Sequence, residues 1–467
     1  MRDTMTQPPY TTTVSRTVSR RDRMFALALC AAAFVFYLIR YGSGAAVEID
    51  SASYAQFDPS RTLGYPVILW IVRELGLIAW LGALQMLAVM AAALFVWRLP
   101  AGRFGWLRWI ALIAIIGNPE LMKHCFRVMT DVPFAAVVLW HVSILTCALR
   151  RKGATARDVM FLVVSGSLAV WIRPAALPIL IVTVLTVLIM ARPWRGLIVA
   201  VGLFIGGWLA PATINWAARG TFATQQIGSV LILNTAAPAI AGLDGASLEP
   251  RLERMWRSIA PAGRLVASAD WPFERALAST LISEYTLFTV YPELSKGMVT
   301  RPDLAVARTE AGKRLASAAM AEHPAAIIEL YIANLLATAG GPGIITPAER
   351  AHMEATLQRM EKPEKLQSTA MNILGHIRVV PAYVAAAIRV AGIGFFTLAA
   401  LAAFGLLVGI VRRLRGAMPA SGPCMAIAGI GAMLTAYLMQ IGLVNAVPRF
   451  LIGVYPVMML FIWLLTE

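Results

Sequence analysis

The sequence predicts an all-α fold: a polytopic bundle of about ten membrane-spanning helices carrying a mainly helical domain on its outer surface. Three observations carry that prediction. Apolar residues make up 59% of the 467 residues and charged ones only 14%, a balance foreign to a soluble globular domain. Mean hydropathy is +0.70. The apolar residues also fall into runs of roughly membrane-crossing length, with the basic residues gathered between them. The formal net charge of +16 is therefore spread over short inter-span clusters, the pattern of topogenic loops, and it does not signal a nucleic-acid partner.

Residues 1–23 are rich in Thr, Ser and Pro, show no periodicity and read as a disordered cytoplasmic tail. The first span covers about 24–40. It follows Arg20, Arg21 and Arg23, and Ser43-Gly44-Ala45-Ala46 mimics a signal-cleavage site. Retention as a signal anchor is expected, because cleavage would cut beside an acidic loop. Val67 to Leu75 is too short to cross a bilayer and reads as an interfacial helix, or as the entry to a second span at about 77–97.

Runs at about 109–118, 133–149, 158–172, 175–191 and 196–217 complete an N-terminal bundle over 24–217. Residues 218–380 are the one stretch that can form a water-exposed domain. They contain amphipathic segments at Thr309 to Met320 and Pro324 to Leu336, and a Gly340-Gly341-Pro342-Gly343 loop. Residues 381–467 hold three more runs, at about 383–411, 423–444 and 449–465. No internal repeat is evident. Cys30, Cys125, Cys147 and Cys424 are too scattered for a disulfide framework or a Cys-x-x-Cys metal site.

Topology follows from the cations. Arg20/Arg21/Arg23, Arg98/Arg103/Arg108, Arg150/Arg151/Lys152, Arg192/Arg195 and Arg412/Arg413/Arg415 flank alternate loops. The positive-inside bias makes those loops cytoplasmic. The loops at 42–65 and 118–131, the Arg173 turn, the 218–380 region and the Arg449 turn are then all expected on the opposite face.

The acidic loop is the chemical centre of that face. Glu48, Asp50, Asp58 and Arg61 crowd into residues 48–66, which end in Gly64-Tyr65-Pro66, within a chain otherwise poor in charge. A carboxylate beside a substrate hydroxyl can act as a general base, and a guanidinium can hold a phosphate bidentately. A polar loop capping two helices has the same composition, with Asp50 as an N-cap. The second outer turn, 118–131, adds Lys123, His124, Arg127 and Asp131. Asp131 stands before Pro133 and an apolar run, so it too has a natural N-cap reading. Arg173, between two runs, must be wet or paired: it faces a phosphate or partners an acidic residue. His124 has no metal-ligand spacing around it.

These residues resemble the GT-C superfamily of polytopic glycosyltransferases, which includes protein O-mannosyltransferases and the aminoarabinose transferases of lipid A. The similarity rests on Asp50-Ser51-Ala52-Ser53-Tyr54 followed by Arg61-Thr62-Leu63-Gly64-Tyr65-Pro66. It continues through Thr130-Asp131-Val132-Pro133-Phe134, Val170-Trp171-Ile172-Arg173-Pro174, Glu322-His323-Pro324 and Val447-Pro448-Arg449-Phe450, in matching order along most of the chain. Two positions depart from the family pattern: Leu63 replaces a Pro, and Asp131 stands where many relatives have Glu.

The resemblance implies transfer of a sugar, with inversion, from a polyprenyl-phosphate donor to a hydroxyl of a glycan, lipid or protein acceptor. Asp50 is then the base, with Glu48 as substitute or rim residue, and Asp131 a second active-site carboxylate. Arg61, Lys123, Arg127, Arg173 and, more weakly, Arg449 would meet the lipid phosphate, with Tyr54 and Tyr65 lining the substrate site. No cofactor is required, although a divalent metal held by Asp50 and Asp131 is compatible with the chemistry. The expected location is a bacterial plasma (inner) membrane, with the site on the periplasmic face. A transporter or flippase, or a non-catalytic member of the family, are the rival readings.

Overall fold

The computed structural model describes residues 18–47, 51–57, 61–99, 105–151, 154–190, 193–220, 222–224, 228–269, 272–285, 301–340, 344–359, 374, 377–415, 422–442 and 451–465. It is all-α and about 85% helical, and among the described residues six helices are long and apolar enough to cross a membrane. These are Arg20–Tyr41, Ile78–Trp97, Asp131–Arg150, Trp194–Ala218, Ala382–Leu414 and Gly422–Gln440. The other four runs expected to span are also helical but shorter as described: Leu107–Ile116, Ala156–Ile172, Pro174–Met190 and Tyr455–Leu465.

Helix α1 (Arg20–Tyr41) starts on Ser19, whose side chain accepts from the Asp22 amide at 3.0 Å, and stops at Gly42, whose φ of 80° admits no Cβ comfortably. Helices α2 (Ser51–Ala55) and α3 (Gly64–Glu74) come next. Helix α3 buries Tyr65 and Leu69 and exposes Trp70 and Ile71. Helices α4 (Leu81–Trp97) and α5 (Leu107–Ile116) are apolar. The short α6 (Pro119–Cys125) is built by Asn118, which accepts from the Glu120 and Leu121 amides at 3.0 Å each, with Pro119 at the first helical position.

Helix α7 (Asp131–Arg150) is the axis of the bundle. Its apolar stretch is 83% buried, and it packs against α4, α8 (Ala156–Ile172) and two C-terminal helices. Helix α8 begins with a reciprocal capping box between Thr155 and Asp158. Helices α9 (Leu177–Met190), α10 (Pro193–Leu203) and α11 (Ala210–Arg219) follow, with a π-helical segment at Phe204–Leu209 between the last two. That bulge frees the Gly206 carbonyl to accept from Trp171 Nε1 at 2.6 Å.

Residues 228–359 form helices α12 (Gly228–Gly242), α13 (Pro250–Ala267), α14 (Pro272–Tyr285), α15 (Arg301–Glu322), α16 (Pro324–Ala339) and α17 (Pro347–Arg359). They have a hydrophobic core of their own around Leu233, Ile240, Ile259, Leu315 and Leu330, distinct from the bundle core around Met86, Ile115, Phe134, Leu139 and Phe461. Helices from the stretch expected to form a separate helical domain over 218–380 thus share a hydrophobic cluster of their own. Two two-residue strands, Ile344–Ile345 and Arg378–Val379, pair in parallel across it. Helices α18 (Ala382–Leu414), α19 (Gly422–Gly442) and α20 (Tyr455–Leu465) complete the chain. Arg389 of α18 ties the two cores together: it bonds both carboxylate oxygens of Glu349 at 2.9 and 3.0 Å and lies 3.9 Å over the Phe273 ring.

Candidate active site

The segments expected to form the first two outer loops are joined before any side chain is considered. Ala46 donates to the Phe126 carbonyl at 2.7 Å and accepts from the Val128 amide at 3.0 Å, and Ser51 Oγ donates to the Val128 carbonyl at 3.1 Å. The third partner is the C-terminal end of α8. A Cβ on Gly64 would lie 2.5 Å from the carbonyl carbon and oxygen of Trp171, so only glycine lets α3 abut α8 here. Thr62 Oγ1 then reaches the Ile172 carbonyl at 2.9 Å. Three stretches widely separated in sequence thereby converge on one place.

Within it, Arg61 donates through Nε to Ser53 Oγ at 2.8 Å and through Nη1 to the Tyr54 hydroxyl at 3.3 Å, its guanidinium 4.7 Å from the centroid of the Tyr54 ring. Tyr54 meets Tyr65 edge-on, with centroids 5.2 Å apart. The Tyr65 hydroxyl donates to Gln85 Oε1 at 3.3 Å, and Gln85 Nε2 donates to the Cys125 and Arg127 carbonyls at 2.8 and 3.1 Å. Burial, helped by Tyr54 and Asp131, holds the Tyr65 hydroxyl well above the ordinary tyrosine pKa, against the opposing effect of the Met129 backbone. Tyr65 is thus a neutral donor.

Asp131 and Arg173 form a direct pair, Oδ1 to Nη1 at 2.5 Å, with the Asp131 side chain 2% exposed. Of the two readings for Arg173, the acidic partner is the one observed. Asp131 is not the N-cap of α7. Thr130 holds that place, and Asp131 is the first helical residue, where the helix dipole favours its charge. The Arg173 guanidinium lies 5.9 Å from the Phe134 ring, and Phe134 stacks on Tyr437 of α19 at 6.0 Å. Tyr437 is within electrostatic reach of both Arg173 and Asp131.

Of the residues expected from sequence, Tyr54, Arg61, Tyr65, Asp131 and Arg173 lie in this cluster, and Arg127 joins it through its carbonyl. Lys123 is exposed on α6. His124 is buried, with Nδ1 on the Glu120 carbonyl at 2.8 Å. Burial holds its pKa below the ordinary value despite that bond, which makes it a neutral structural group. Glu48, Asp50 and Arg449 lie outside the described residues, and with them the proposed base. Among the described residues, no group of three or more His, Cys, Asp or Glu side chains is gathered as a metal site.

Sequence reasoning missed Ser53, Gln85 and Tyr437. Only Gln85 left a signal, as the one amide inside the apolar helix α4. No known protein family, curated protein or solved structure matches the chain.

Proposed function

We propose that the chain is a membrane glycosyltransferase of GT-C type, moving a sugar from a polyprenyl-phosphate donor to an acceptor hydroxyl, with inversion. The observation that carries this reading is the gathering of Arg61, Tyr54, Tyr65, Asp131 and Arg173 from three separate stretches into one polar cluster at helix ends. A tyrosine-backed guanidinium suits a lipid phosphate, whose negative charge grows as it leaves. Asp50 would remove the acceptor proton while the acceptor oxygen bonds to the anomeric carbon. The bond from that carbon to the phosphate oxygen breaks on the opposite face, and the electron pair leaves with the phosphate. The buried Asp131–Arg173 pair would fix the wall of this site and the position of Arg173.

In this reading about ten helices cross the membrane and the cluster lies on the extracytoplasmic face of a bacterial inner membrane, opposite the loops rich in arginine. Turnover of a radiolabelled polyprenyl-phosphate sugar by the purified protein tests it. Activity in the wild type that vanishes in Asp50→Asn is expected. A folded wild type with no transfer to any glycan, lipid or protein acceptor would refute the enzyme reading.

A further inference from the structure

Pro211 sets a defect into the continuous helix that α10 and α11 form. The two join through the π-helical segment Phe204–Leu209, inside the long apolar stretch Trp194–Ala218. In a regular α-helix the Gly206 carbonyl would accept from the Ala210 amide. Ala210 donates to the Ile205 carbonyl instead, and Pro211, the next residue, has no N–H to offer. The Gly206 carbonyl thus loses both donors that would continue its helix. In apolar surroundings such a group is costly unless a donor reaches it from elsewhere.

Trp171 is that donor, its Nε1 reaching the carbonyl at 2.6 Å. Val163, Ser167 and Trp171 follow one face of α8 at four-residue steps. A Cβ on Gly202 would lie 2.8 Å from Val163, and one on Gly206 2.5 Å from Ser167, so α10 runs close along that face and brings the bulge to the indole. The backbone of the same turn of α8 serves the candidate site. The Trp171 carbonyl abuts Gly64, the Ile172 carbonyl accepts from Thr62 Oγ1 at 2.9 Å, and Arg173 pairs with Asp131. Arg173 leaves the helix in an extended conformation, so whatever holds the turn before it fixes where its side chain starts. We propose that Trp171 is a positioning residue of this site: its N–H, bound by the carbonyl that the bulge frees, holds the last turn of α8 where Arg173 meets Asp131 and Thr62 meets Ile172. Trp171 acts through those residues and not on the substrate. The effect on transfer rests on the glycosyltransferase reading, whereas the effect on the Arg173–Asp131 pair does not.

The test uses the full chain in lipid nanodiscs with two replacements of Trp171. Trp171→Phe keeps an apolar ring without the N–H, and Trp171→His keeps a ring N–H with less apolar surface. Trp208→Phe, exposed in the same bulge, is the control. The apparent KM for the polyprenyl-phosphate donor should rise up to about tenfold in Trp171→Phe, the worth of one neutral hydrogen bond. It should rise less in Trp171→His and stay unchanged in Trp208→Phe, with the acceptor KM constant throughout. Packing alone ranks the Phe and His variants the other way round, so a donor KM that follows that ranking, or does not move, overturns the proposal. Thermal melts give the second readout. Asp131→Ala should lower the melting temperature less in the Trp171→Phe background than in the wild type, because the pair it breaks is already loosened. Additive losses overturn the proposal whatever the kinetics. A folded Trp171→His beside an unfolded Trp171→Phe supports it by the same ranking, and failure of both to fold makes Trp171 a packing residue and overturns it. A wild type without transfer removes the glycosyltransferase reading, and the melting cycle then still decides whether Trp171 holds Arg173 to Asp131.

Discussion

Arg61 and the Asp131–Arg173 pair carry different kinds of charge, and their substitutions separate accordingly. Arg61 is half-buried and its fork is engaged at two points, by Ser53 and Tyr54. In the proposed enzyme, Arg61→Ala should raise the apparent KM for the lipid donor by roughly ten- to a hundredfold, while the acceptor KM barely moves. Arg61→Lys should recover only part of this, since an ammonium cannot keep the two-point geometry. Initial rates over a donor titration measure it, and an equal rise in both constants would argue against a phosphate contact. Asp131→Ala, in contrast, strands a largely buried cation, and breaking a buried pair costs about 3–5 kcal/mol. A lowered melting temperature in detergent is expected. Asp131→Asn keeps an acceptor oxygen toward Arg173 and should melt closer to wild type. If Asp131→Asn loses transfer at an unchanged melting temperature, the carboxylate charge matters beyond packing.

Among elements, the decisive contact is α3 against the end of α8. Gly64→Ala would drive a methyl into the Trp171 backbone, which cannot rotate away as a side chain could. Helix α3 must shift, taking Tyr65 from Gln85 and Arg61 from its position beside Tyr54. The expected result is a loss of transfer larger than the fall in melting temperature, and transfer rates with thermal melts of one preparation would show it.

The Arg389–Glu349 clasp works between elements of the two cores. Burial pushes the Glu349 carboxyl up, but the hydrogen bonds from Arg389 and the Thr346 backbone outweigh it and leave the pKa below its usual 4.5. A carboxyl depressed in the folded state stabilises fully above its unfolded pKa, and that stability is lost as pH falls through and below 4.5. Glu349→Gln should therefore flatten the fall in melting temperature over that acid range.

At the scale of the molecule, two hydrophobic cores are built on one chain, and the candidate site lies among loops and helix ends rather than in either core. Arg378, on a strand of the small parallel sheet, pairs with Glu120 of α6, so this helical region touches the same 118–131 turn that Gln85 organises. The topology proposed here requires single cysteines at positions near 44, 123 and 320 to label from one side and those near 103 and 152 from the other. Labelling of position 44 and position 103 from the same side would break it, and the proposed active-site face with it.

Hydropathy determined the all-α class and its long apolar helices, because a stretch of apolar residues about 20 long needs only local sequence to bury its backbone polarity. Turn chemistry starts helices for the same local reason: Asn118-Pro119 caps a helix wherever it stands. The chain also named Tyr54, Arg61, Tyr65, Asp131 and Arg173 before any geometry was known. Pairing was different. Asp131 and Arg173 are 42 residues apart, Tyr437 is far beyond both, and Gln85, though conspicuous as the one amide in α4, does not name its partners. Which of several charges meets which depends on how α3, α7, α8 and α19 pack, a property of side-chain shapes across the whole bundle. Only the tertiary structure could choose between a phosphate and an acidic partner for Arg173, and name that partner as Asp131.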